Sequence, residues 1–364
     1  MAPVRIAVIG AGLIGRKHIA VLRSGNPDYT LAAVADPAPA AAAEAKQLGY
    51  KCFSGVDEML DRVKPDGAII AVPNQLHVPV GLACVARKVA ILVEKPVADS
   101  VEAALDLVEA AESAGVPFLV GHHRRHNPIM RRAASIVHGG GIGKVVAVSG
   151  FWLSHKPKDY FNTAWRKEPG GGTVLINAIH DIDCLRMLCG DVDTVQASAS
   201  SGTRQFAVED TAAAVLRFKS GALGTFLVSD TASTPWSWEW TTHENPFYPH
   251  EPENCYLIAG TKGSLAVPSL LHRWHEAGSE SWGNPLMQLR AHVVPADAYH
   301  EQMRNFTGVI RGTEAPVLSG RGGTITLATT LAITQSAKAG MPVRVDDMMS
   351  RAPAAQSARQ KRTR

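Results

Sequence analysis

A chain of 364 residues, 46% hydrophobic and 19% charged, is long enough for two hydrophobic cores and has the composition of a globular protein, not a disordered or fibrous one. Lysine and arginine number 37 against 33 acidic residues, a formal net charge of +4 that is too slight to call for nucleic acid as a partner. The five cysteines are scattered without a C-x-x-C pair, which argues against a disulfide framework or a thiolate zinc site.

Met1-Ala2-Pro3 leads straight into an apolar strand, and no apolar run approaches the roughly 18 residues that span a bilayer. A cytoplasmic protein without membrane partners is expected. Residues 4–9, 31–35, 67–72, 90–93 and 118–120 are predicted strands buried on both faces, separated by Ala-rich stretches of helical spacing. Repeated units of this kind predict a parallel sheet with helices on both sides. After Asn127 the texture changes. A helix is predicted at about 128–138, a strand at 145–153, and a second helix after Gly170-Gly171-Gly172. Strand-like runs then follow at 192–200, 211–218, 222–229, 255–259 and 264–267, a succession that predicts a mostly antiparallel open sheet in an α+β domain.

Gly10-Ala11-Gly12-Leu13-Ile14-Gly15 directly follows the first strand and opens a helix. Glycines so spaced allow a tight turn, close approach of backbone to a pyrophosphate, and close helix–strand packing. The second strand ends at Asp36, where a carboxylate can accept hydrogen bonds from adenosine ribose hydroxyls. Residues 1–122 are therefore expected to form a doubly wound Rossmann domain. Residues 123–345 are expected to carry substrate binding and oligomerisation, and 346–364 a flexible tail. The charge of Asp36, followed by Pro37, favours NAD; a cation supplied from elsewhere would admit NADP.

Further motifs narrow the reading. Ala71-Val72-Pro73-Asn74 with His77, Glu94-Lys95-Pro96, Gly121-His122-His123-Arg124-Arg125-His126-Asn127-Pro128 and the helix ending His180-Asp181-Ile182-Asp183 occur in this order. Together they resemble the glucose–fructose oxidoreductase, inositol dehydrogenase and MocA (Gfo/Idh/MocA) family over roughly residues 4–345. The resemblance implies that Val72, Pro73, Asn74, His77 and Glu94 line the dinucleotide with the glycine turn. It also implies that Lys95 lies beside the nicotinamide, often with a cis bond to the next proline, and that His180 exchanges a proton with the reacting hydroxyl. Those roles make chemical sense: hydride loss from an alcohol leaves an alkoxide-like oxygen, which needs a proton acceptor and a cation.

One departure is evident. Many relatives carry an aspartate four residues before the histidine, where this chain has Ile176 with Asn177 next to it. Asn177 is read as a substrate contact, and Asp183 as a carboxylate that could orient His180. Arg125, Trp165 and Arg166 are further substrate candidates beside Lys95 and His180, with interdomain ion pairing the competing explanation for an arginine. The tryptophans at 236, 238 and 240 are read as core or interface packing first, substrate contact second. His122, His123 and His126 lack accompanying ligands, so no metal is expected. The expected activity is hydride transfer between NAD(P) and a sugar, polyol or cyclitol. A dehydrogenase of a cyclic dihydrodiol or semialdehyde hemiacetal, and a non-catalytic dinucleotide sensor, stay open as alternatives. A homodimer or homotetramer is implied by the resemblance.

Overall fold

The computed structural model describes residues 2–350. The first sheet has six parallel strands: β1 (Val4–Ile9), β2 (Tyr29–Ala35), β3 (Cys52–Phe53), β4 (Gly67–Ile70), β5 (Ala90–Val93) and β6 (Phe118–Val120). Their order is β3-β2-β1-β4-β5-β6. Ile6, Val8, Ile69, Ile91 and Leu92 are all fully buried, as expected when helices cover both faces of a parallel sheet. The winding direction reverses between β1 and β4, so the carboxyl ends of these two strands flank a crevice. β3 was not predicted; it is a two-residue pairing on β2.

The second sheet has nine strands: β7 (Val145–Leu153), β8 (Val192–Ser200), β9 (Thr211–Phe218), β10 (Leu223–Ser229), β11 (Tyr256–Gly260), β12 (Gly263–Val267), β13 (Leu271–Trp274), β14 (Met287–Arg290) and β15 (Val343–Arg344). Their order is β14-β13-β12-β11-β7-β10-β9-β8-β15. All pairings are antiparallel except β7 with β10, where two strands distant in sequence meet side by side. The fold is thus α/β, a parallel sheet followed by a mostly antiparallel one. Side chains alternate along β9, with Ala212, Ala214, Leu216 and Phe218 buried and their neighbours outward. The inward face packs on the helix Ile179–Cys189, whose Ile179, Ile182 and Leu185 are fully buried. The outward face leaves Val146, Val215, Leu223, Leu227 and Leu257 exposed.

Late in the chain, two helices tie the sheets together. Phe306 and Ile310 of the helix Ala298–Ile310 close over Gly67, so tightly that a Cβ there would lie 2.7 Å from Ile310. The helix Gly320–Ala339 begins against β6, where a Cβ on Gly320 would overlap the Phe118 ring at 2.3 Å, and continues along β8. Part of the predicted tail is ordered: Val345–Met349 is a short helix anchored by buried Val345. The remainder of that prediction, 351–364, lies outside the described residues. Among the described residues no helix is long and apolar enough to cross a membrane.

Candidate active site

The glycine turn is shaped by close approach. A Cβ on Gly10, where φ is +95°, would lie 2.5 Å from the Ala71 carbonyl oxygen, and one on Gly15 would lie 2.0 Å from that of Gly10. Gly12 instead faces open space, with nothing within 4 Å of a Cβ built there. The helix Leu13–Leu22 starts here without a side-chain cap or an acidic residue in its first turn, so its leading amides have no side-chain partner among the described residues. Leu13 is 93% exposed at the lip and Ile14 half-buried behind it. Asp36 accepts from Ala11 N at 2.7 Å and Ala38 N at 2.8 Å, which leaves lone pairs on both oxygens. An uncapped, amide-lined opening at the crevice of a doubly wound sheet fits the pyrophosphate of a dinucleotide. Val72, Pro73 and Asn74 follow β4 on the other side of the same crevice.

Two motif residues do other work than predicted. His77 is buried, its Nδ1 2.8 Å from the Pro96 carbonyl and its Nε2 2.9 Å from that of Val72. It pins the loop after β4 to the loop after β5 and presents no free atom to a cofactor. Glu94 is buried too, 2.8 Å from His18 Nε2, with its second oxygen accepting from Lys95 N at 3.2 Å. Its carboxylate therefore secures the Lys95 backbone from inside. The bond from Lys95 to Pro96 is cis.

Lys95 is half-buried at the end of β5, and burial lowers its pKa against the opposing pull of Glu94. His180 arrives from the helix beneath the second sheet. Burial, then the charge of Lys95, then that of Arg124, hold the His180 pKa well below its ordinary value, so the ring is neutral. Its Nδ1 is buried without a partner among the described residues, which leaves Nε2 as the ring nitrogen open to the cleft. His123 stands edge-on to it at 5.7 Å and stacks on Tyr299 at 4.6 Å. Beneath them Arg124, 4% exposed, donates to Asp181 at 3.1 Å and Glu239 at 2.6 Å; Glu239 also accepts from Trp152 Nε1 at 2.9 Å.

The segment entering the His180 helix, Val174–Ala178, is a π-helical turn, so α-helical spacing does not describe how Asn177 relates to His180. Glu209 accepts from Val174 N at 2.9 Å, and it fills the space a Cβ on Gly172 would occupy. Asn177 Oδ1 accepts from Lys156 Nζ at 2.6 Å. Arg166 donates to the Tyr160 carbonyl at 2.6 Å with its guanidinium 4.0 Å from the Tyr160 ring centroid, and neighbouring Trp165 is half-exposed.

Arg125 is engaged by a carboxylate. It forms a two-pronged pair with Asp183 at 2.7 and 2.9 Å, an ion pair within the second domain and not the interdomain pair that was the competing expectation. Asp183 is consumed by that pair and by Thr326 Oγ1 at 2.8 Å, and therefore does not orient His180. The aromatic loop divides: Trp238 is buried and donates to Glu244 at 2.6 Å, whereas Trp236 is exposed. Arg124, Lys156, His123 and Tyr299 were missed. Arg124 lay within a quoted motif, and Lys156 follows the predicted strand that became β7, but only tertiary contacts reveal their partners.

The buried histidines make stability acid-sensitive. Burial lowers the pKa of His77 and His180, and pushes His122 down to about 4 and His126 to about 3. Unfolded, each titrates near 6.5, so between about 6.5 and 4 the unfolded state binds more protons and stability falls with pH. Asp181 acts oppositely: burial pushes its carboxyl up to about 7, so the native state holds a proton that the unfolded chain has released. Histidines outnumber it, and urea midpoints are expected to fall steadily from about pH 6.5 to 4.5, with His126→Gln flattening the decline. A level profile would contradict this.

An amide-lined dinucleotide crevice facing an amine and a neutral imidazole defines a nicotinamide-dependent oxidoreductase of the two-sheet type. The chain belongs to the GFO/IDH/MocA family: residues 4–122 match "Oxidoreductase family, NAD-binding Rossmann fold" and residues 130–266 match "GFO/IDH/MocA C-terminal domain". It is 27% identical over 349 residues to 1,5-anhydro-D-fructose reductase of Ensifer adhaerens, covering 94% of this chain and 98% of that one. It is 28% identical over 357 residues to scyllo-inositol 2-dehydrogenase (NAD(+)) of Bacillus subtilis (strain 168), covering 94% and 96%. An oxidoreductase from Agrobacterium radiobacter, solved in complex with NAD+, L-tartaric acid and magnesium, shares the fold with a TM-score of 0.80 at 19% identity, covering 95% of this chain and 100% of that one.

Proposed function

We propose that this enzyme moves a hydride between C4 of the nicotinamide of NAD and a hydroxyl-bearing carbon of a sugar, polyol or cyclitol. One observation carries the reading: His180 packs edge-on against His122 and His123, which follow β6 as Lys95 follows its paired neighbour β5, so a cation and a neutral base from the two sheets address one cleft. Relatives named for an anhydro sugar and an inositol support the substrate class.

Bound nicotinamide supplies or accepts the hydride. His180 takes the hydroxyl proton through Nε2, and its lowered pKa keeps it competent as a base below the usual histidine range. Lys95 neutralises the negative charge that grows on the same oxygen in a cleft with little water to screen it. Asn177, opening to that cleft, orients a neighbouring substrate group. Incubation with NAD and a panel of sugars, polyols and cyclitols tests the reading: NADH is expected to accumulate with at least one. No NADH with any of them, and no change in melting temperature on adding NAD, would reject it.

NAD is preferred over NADP in this reading because Asp36 points a carboxylate at the ribose, and Pro37, Ala38, Pro39 and Ala40 supply no cation for a phosphate. Asp36→Ser is expected to weaken NAD about tenfold or more and to improve NADP. An unaltered ratio of dissociation constants counts against that contact.

The outward apolar face of the second sheet supports a homodimer or homotetramer formed by pairing this face with itself. Sedimentation at micromolar concentration is expected to show no monomer. The five free cysteines fit a reducing cytoplasm.

A further inference from the structure

The wall of the cleft beyond Asn177 is built of donors. Lys156, 9% exposed, spends one proton on Asn177 Oδ1 and stands 3.6 Å from Asp230. Asp230 is shared, because Arg204 Nε also donates to it at 2.5 Å. Since Asn177 Oδ1 faces an ammonium, its amide nitrogen is turned the other way, and no protein acceptor among the described residues meets it. Arg166 gives one terminal nitrogen to the Tyr160 carbonyl, and no carboxylate among the described residues lies within ion-pair distance of it. Lys156 and Arg166 address one tyrosine: their charges lie 4.8 and 4.0 Å from the Tyr160 centroid. Three cations, Lys156, Arg166 and Arg204, thus have one paired carboxylate between them.

Donors outnumber acceptors on this wall. Glu239 is tied to Arg124 and Trp152, residue 176 is isoleucine, and Glu209 gives one oxygen to Val174 N and keeps the other as an acceptor. A neutral sugar offers donors and acceptors in equal measure, whereas a carboxylate offers acceptors and a charge. We propose that the substrate is a hydroxy acid of sugar type, its carboxylate received by Lys156, Arg166 and the amide nitrogen of Asn177. The inference rests on the proposed function, in that the hydroxyl to be oxidised is the one placed at His180. The two neighbouring guanidinium charges supply an added reason: burial and then Arg204 and Arg166 lower the Lys156 pKa to about 8 against the pull of Asp230, a repulsion that a bound anion relieves.

The test uses the full-length enzyme loaded with NADH and matched pairs, glucose with glucuronate and galactitol with galactonate, with affinity read by calorimetry and NAD reduction read separately. At least one acid is expected to bind about tenfold or more tightly than its neutral partner. That ratio is expected to fall toward one in Arg166→Met and in Lys156→Met, and to recover in part in Arg166→Lys. Arg166 sits on a half-exposed turn, so its variants guard against misfolding of the Lys156 variant, and NADH affinity serves as the folding check. Neutral partners binding as tightly as acids, no acid binding at all, or an acid preference that survives both substitutions overturns the proposal. NAD reduction by neutral sugars alone would do so while leaving the oxidoreductase reading intact. Tight acid binding with no NADH from any pair would retain the carboxylate site and count against the proposed chemistry.

Discussion

Lys95→Ala is expected to lower turnover by about 10²- to 10⁴-fold while the dissociation constant for NAD changes less than about threefold. The ammonium faces no charge on the resting hydroxyl and a full opposing charge as the oxygen sheds its proton, so its effect falls on the transition state. Burial has already stripped much of its hydration, which strengthens what it does to a nearby oxyanion. Its anchoring does not depend on its own side chain: Glu94 holds the Lys95 amide, and His77 pins the Pro96 carbonyl. The truncation therefore removes the cation from an intact loop. Single-turnover kinetics and NAD titration separate the two parameters; unchanged turnover, or an equal loss in both, would contradict the assigned role.

Arg124→Met is expected to destabilise the fold by about 3–5 kcal/mol. The buried guanidinium joins a fully buried acid to a partly exposed one, and Asp181 Oδ2 has no hydrogen-bond partner among the described residues. Removing the cation leaves Asp181 and Glu239 facing each other with only Tyr256 and Trp152 as donors. Adding Asp181→Asn to the variant is expected to restore part of the loss, because the buried carboxyl that lost its guanidinium partner goes with it. Denaturant midpoints of the single and double variants decide it, and a single variant within about 1 kcal/mol of the parent would show the network to be dispensable.

What the sequence made legible follows from burial. Strands sealed on both faces read as continuous apolar runs, and β1, β5 and β6 have the limits predicted for them. The alternating strands β7, β8 and β9 were equally plain. β14 was invisible because Met287–Arg290 is exposed throughout, and β15 because two residues carry no period. At the site, the glycine turn and Asp36 were readable because phosphate and ribose recognition impose a local spacing. Motif membership did not reveal the intramolecular partners of His77, Glu94 and Arg125, which brace backbone and form buried pairs. Lys156 and Arg124 gain their meaning from Asn177, Asp230, Asp181 and Glu239, partners between 21 and 115 positions away, and no window of sequence contains them together.

The helix Gly320–Ala339 bears on how ligands come and go. Its first turn is wedged on Phe118 and Val120, Arg186 and Thr326 lock its middle to the segment that carries His180, and Ser336 receives a hydrogen bond from Ala197 of β8. A single rod thus rivets the strand beside Lys95 to the helix beneath the other sheet. Two sheets so joined are expected to move as one body. Heating is accordingly expected to melt both sheets in one step, because neither can come apart while the rod remains seated in the other.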